Sequence, residues 1–203
     1  MTNFLFLSST SSDDCPTFGW QSPDQALWGV KEGFKNAADD LVKKALREGK
    51  KNNIRVFDTY IFPIMYLYRQ SLEVSLKNIY LRCFGKIPGG GHDLSIIWKK
   101  VNQEIIKDHI LNEEFLERVK LHKQNFYKFS LKGIDFSKIT QVFIEIQQFD
   151  SKADVFRYMV DKNGKTYFNQ NQYIDYKNLK TVINEIYENL DYIHQVIDEY
   201  MSS

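Results

Sequence analysis

Apolar residues recur every three or four positions over most of the chain, and that period predicts helix. The first helix starts at Ser22, whose hydroxyl suits an N-cap, with Pro23 at the first helical position. Ala26, Val30, Phe34, Ala37, Leu41 and Ala45 mark one face of it, and Gly49 fits its end. A second helical stretch runs from about Asn53 to Phe84, with Pro63 as a kink or a fresh start. Met65, Leu72, Leu76 and Ile79 form its apolar stripe. "DLSIIWKKVNQEII", behind Asp93, predicts a third helix. "NEEFLERVKLHKQNFYKF", capped by Asn112, predicts a fourth, and "DFSKITQVFIEIQQFD" a fifth. The last stripe, Leu179, Val182, Ile183, Ile186, Leu190, Ile193 and Ile197, lies in a long helix over 175–201.

One segment breaks the period. "DVFRYMVDKNGKTYF" places β-branched and aromatic residues on both sides of Asn163-Gly164, and Asn-Gly is the strongest short hairpin signal. The expectation is a small β-hairpin, Val155–Val160 with Lys165–Phe168, inserted over 154–169. The fold class is therefore all-α: an antiparallel helical bundle with a hairpin in its C-terminal third. Residues 1–203 are read as a single domain, with 1–20 as a loose arm.

Composition narrows the class further. A length of 203 residues suits one domain of roughly 100–200 residues. The net charge of +1 is far from a strongly basic domain, so any contact with RNA or DNA has to come from a local patch. Aromatics at 15% point to a thickly packed core or an adhesive interface. Cys15 and Cys83 make no disulfide or metal pattern, and His109 and His194 stand alone, so no metal site and no cofactor is expected. No run approaches the roughly 20 apolar residues of a membrane span, which leads to the expectation of a cytoplasmic protein without a membrane partner.

Candidate chemistry concentrates around the glycine loop. Arg69, Glu73 and Lys77 are spaced by four, a charge ladder along the edge of the second helix's apolar stripe. "IPGGGHDLSIIW" then reverses the chain. No Lys-Ser/Thr follows Gly89, Gly90 or Gly91, so it is no P-loop. His92 offers an acid/base or a phosphate contact, and Asp93 offers a helix cap or a binding group. At 1.5 Å per residue, Arg69 lies about 24 Å before Gly85. A straight hairpin therefore keeps Arg69 away from His92, and a shared site calls for a second subunit or for the kink at Pro63. A further patch, "RVKLHKQNFYKFSLK", interleaves Arg118, His122 and Lys123 with aromatics, a pattern suited to nucleic acid.

"PIMYLYRQSLEVSLKNIYL", the glycine-bearing loop, "HDLSIIWKKV" and the later "VFRYMVDKNGK" together resemble the HEPN superfamily of small helical domains, in pieces over about residues 24–168. The resemblance implies a dimeric helical bundle, often in toxin–antitoxin or phage-defence settings. It also implies that many relatives cleave RNA without a metal, through an Arg-x(4–6)-His motif at the dimer interface. The chain departs from that motif. Its nearest spacing, Arg118 to His122, is one residue short, and Gln70 stands where a histidine is expected after Arg69.

Three readings follow. The first is a catalytically silent homodimeric module that binds nucleic acid or a partner protein, and the missing motif favours it. The second is a metal-independent ribonuclease with His92 as acid/base and Arg69 stabilising developing charge, aided by Glu73 and Lys77. The third is a structural dimer without a site.

Overall fold

The computed structural model describes residues 16–110, 131 and 133–201. Seven α-helices are described: α1 (Pro23–Gly49), α2 (Ile54–Thr59), α3 (Ile61–Phe84), α4 (Leu94–Lys100), α5 (Phe136–Phe149), α6 (Val155–Tyr158) and α7 (Tyr176–Met201). A π-helical stretch, Val101–Ile110, continues α4. The protein is mostly helical and all-α, and no strand occurs among the described residues.

Local signals set most helix starts. Ser22 and Gln25 form a reciprocal capping box before α1, with Pro23 in its first turn. Asn53, Asp93 and Asp135 cap α2, α4 and α5 through side-chain oxygens. Pro63 sits in the first turn of α3, so it marks a fresh start and not a kink.

The bundle is built on α3. α1 and α7 pack against it, and α4 packs on α5. Ala38, Val42, Leu72, Leu76, Trp98, Phe143, Ile186, Leu190 and Ile193 belong to one buried cluster. The predicted stripe of α7 holds: Ile183, Ile186, Leu190, Ile193 and Ile197 are buried. The predicted stripe of α1 is rotated. Ala26, Val30 and Ala37 face outward, and Lys31, Lys35, Ala38, Val42 and Ala45 face inward. The two lysines are accepted because each has a carboxylate and an aromatic face. Lys31 lies 2.6 Å from Asp191 and over the Tyr187 ring. Lys35 lies 2.8 Å from Asp39 and over Tyr68 and Tyr187.

The expected hairpin is corrected. Val155–Tyr158 closes a helical turn, and a single antiparallel bridge, Val160 to Thr166, is all that pairs beyond it. The reason is burial. Val155 and Phe156 are consecutive and both buried, packed with Met65 and Phe149. A strand would send neighbouring side chains to opposite faces. Asn163-Gly164 still turns the chain, but only Gly164 has positive φ, and Asp161 organises the turn by accepting from the amides of Asn163 and Lys165.

The basic–aromatic patch with Arg118, His122 and Lys123, and the predicted fourth helix, lie outside the described residues. No helix among the described residues is long and apolar enough to cross a membrane.

Candidate functional site

The chain leaves α3 at Gly85, in the left-handed region, and runs back alongside that helix. Pro88 is buried in this return, and the amide of Asp93 donates to the carbonyl of Gly90 just before α4 begins. Gly90 has φ +123°, and a Cβ there would come within 2.9 Å of Ile96. Only glycine fits that position. The glycine run is thus a joint that delivers His92 and Asp93 to the flank of α3.

Arg69 waits at that flank. Its side chain is 1% exposed, and its guanidinium faces Glu73, the His92 carbonyl and Asp150. Nη1 donates to Glu73 Oε2 at 3.0 Å, and Nη2 donates to the backbone carbonyl of His92. Nε lies 3.4 Å from Asp150 Oδ2, an ion pair without hydrogen-bond geometry. Asp150 follows the last residue of α5, and its Oδ1 accepts from the amide of Val155 at 3.0 Å. One guanidinium therefore ties together α3, the glycine loop and the turn between α5 and α6.

Glu73 uses its second oxygen for two more donors. Oε1 accepts from Lys77 Nζ at 2.7 Å and pairs with His92 Nδ1 at 2.8 Å. Burial works to raise its pKa, but the hydrogen bonds and charges of Lys77 and His92 win and hold it below the ordinary carboxylate value. An ionised carboxylate only accepts, so the Nδ1 of His92 carries the proton. In the neutral imidazole the lone pair then sits on Nε2.

Burial grades sharply across this cluster. Arg69, Glu73 and Asp150 are buried, Lys77 is 18% exposed along its side chain, and the His92 side chain is 64% exposed. The two cations Arg69 and Lys77 balance the two carboxylates. What faces outward is an imidazole clamped from behind, next to an ammonium group. That pair can contact an anion, and His92 can exchange a proton at Nε2.

Among the described residues, the candidates around the glycine loop come together. The structure unites Arg69, Glu73, Lys77 and His92 within one chain, contrary to the 24 Å separation expected of a straight hairpin. Arg69 is buried, with its guanidinium facing Glu73, the His92 carbonyl and Asp150. Asp93 Oδ1 accepts from the amide of Ile96 and the hydroxyl of Ser95, a capping arrangement. Asp150 was not singled out from the sequence. It sits in an ordinary helix-ending stretch, and no local signal marks its contact with Arg69.

Among the described residues, no group of three His, Cys, Asp or Glu is placed to hold a metal ion. Compared with known proteins, the chain matches no family model, no curated protein and no solved structure.

Proposed function

We propose that this is a HEPN-like, homodimeric helical module that binds RNA through its phosphate backbone at the His92–Lys77 rim, and that it is catalytically silent. The observation that carries the reading is the exposed imidazole of His92, held in one orientation by buried Glu73 at 2.8 Å. The ring is 64% exposed while its Nδ1 is engaged by the buried carboxylate, which leaves Nε2 as the nitrogen for a ligand. Lys77, on the same carboxylate, supplies a fixed positive charge beside it.

Binding is favoured over turnover because the Arg-x(4–6)-His spacing of the resembled family is absent and the Arg69 guanidinium, which would stabilise developing charge, is buried. Support for the dimer comes from the 15% aromatic content together with the sequence resemblance, and support for a toxin–antitoxin or defence setting from the resemblance.

The test is fluorescence anisotropy with a labelled single-stranded RNA, run over a salt series. His92→Ala and Lys77→Ala are expected to weaken binding, and Lys77→Ala to reduce the salt slope by about 1. Equal affinity of both variants and the wild type removes the reading. Metal-independent cleavage of the RNA that disappears in His92→Ala replaces it with the ribonuclease reading.

A further inference from the structure

A second site lies on the other side of the α5–α6 turn. A cleft of about 480 Å³ opens between α2, the start of α3 and the segment leading into α7. That volume falls within the roughly 300–1,000 Å³ of small-molecule sites. Phe62, Phe149, Phe156, Phe168 and Tyr173 give it aromatic walls. Part of the wall is preformed: Phe149 stacks on Phe156 with centroids 5.7 Å apart and planes 9° from parallel, and it packs on Phe168 at 4.9 Å.

Charge selects the ligand. The lining contains one ionisable acid, Asp58, and no Lys, Arg or His. Asp58 is exposed and makes no ion pair among the described residues. Aromatic faces carry partial negative charge, so rings and carboxylate act in the same direction. An anionic ligand is repelled, and a neutral apolar one leaves the carboxylate unused. The side-chain amides of Gln170 and Asn171 border the cleft and add acceptors for N–H groups. Tyr173, 88% exposed, stands in the same lining with its ring available to cover a ligand.

We propose that this cleft binds an organic cation, a guanidinium or alkylammonium group on an aliphatic stem, with Asp58 as counter-ion and the aromatic rings around the stem. The same chemistry is carried by a free amine and by an Arg or Lys side chain of a peptide. The site is independent of the His92 rim. The two share only the turn in which Phe149 and Phe156 face the cleft while Asp150 and Val155 support Arg69.

The experiment is an amide NMR titration of the full ¹⁵N-labelled chain with n-butylguanidinium, an Ala-Arg-Ala amide peptide, n-pentanol and adenosine monophosphate. The two cations are expected to shift resonances near Asp58 and across 168–176. Asp58→Asn is expected to weaken them about fivefold or more, and Tyr173→Ala to weaken them as well. Both residues are exposed, so both variants keep the wild-type unfolding temperature. A peptide bound tenfold or more tighter than butylguanidinium identifies a protein side chain as the source, and equal affinities identify a free amine. Pentanol or adenosine monophosphate binding as well as the cations, undiminished binding in Asp58→Asn, or shifts confined to other regions would each overturn the proposal.

Discussion

The guanidinium of Arg69 donates to the backbone carbonyl of His92, 23 residues later in the same chain. This bond decides what the glycine loop does. A helix advances about 1.5 Å per residue, and an extended chain at most about 3.6 Å. Seven residues, from Gly85 to His92, reach at most about 25 Å, and the turn closed between Gly90 and Asp93 shortens that, so the long Arg69 side chain spans the remainder of the about 24 Å from Arg69 to Gly85. The loop is a return path along α3, and not a tight reversal at its tip.

Arg69 is the residue on which that arrangement depends. Arg69→Ala leaves Glu73 and Asp150 buried without their shared cation, and a loss of about 3–5 kcal/mol of stability is expected. Arg69→Lys should recover little of it, because one ammonium cannot reach Glu73, His92 and Asp150 in three directions. Urea unfolding of the two variants against the wild type checks this.

Glu73 makes stability depend on acid. Its pKa is lowered in the folded state from an ordinary 4.5. Its contribution is therefore fully present above about pH 4.5 and is lost as the pH falls through the lower folded value. The stability difference between wild type and Glu73→Gln is expected to be constant near neutrality and to shrink below pH 4.5. Unfolding curves measured from pH 7 down to pH 3 give the profile, and a gap that widens on acidification contradicts it.

The joint and the imidazole should separate cleanly. Gly90→Ala puts a Cβ against Ile96 at φ +123° and is expected to cost about 1–3 kcal/mol. His92→Ala removes an exposed ring with one hydrogen bond and is expected to cost about 1 kcal/mol. Thermal unfolding of both ranks them. A larger loss for His92→Ala would make the histidine a structural element first.

Cys83 is expected to be inert. Burial pushes its thiol up to about 11, although the charge of Arg82 pulls the other way. In a Cys15→Ser background, alkylation by iodoacetamide at pH 8 should be slow in the native protein and fast in denaturant. Rapid native modification would mean that this part of α3 opens readily.

Much of the helical framework was legible along the chain. Ser22 with Pro23 announced α1, Asp93 announced α4, and the seven-residue stripe of α7 gave its inward face directly. These are local signals: a cap or a stripe acts within a few residues of itself. The phase of α1 was not legible. Lys31 and Lys35 lie outside the predicted apolar stripe, and Asp191 with the rings of Tyr187 and Tyr68, brought from α7 and α3, joins Asp39 of α1 itself in making their burial tolerable. The hairpin expectation failed for the same kind of reason, because the pocket beside Met65 and Phe149 accepts Val155 and Phe156 together.

The candidate site divides along the same line. The sequence by itself determined that Arg69, Glu73 and Lys77 share one helix face, that glycines turn the chain after Phe84, and that a histidine opens the next helix. Only the tertiary structure decided that Arg69 is a buried support and His92 an exposed group, and that Asp150 belongs with them. Spacing along a helix sets direction, which the backbone geometry enforces locally. Burial and ion pairing depend on which distant segment lies alongside, and no period in the chain encodes that.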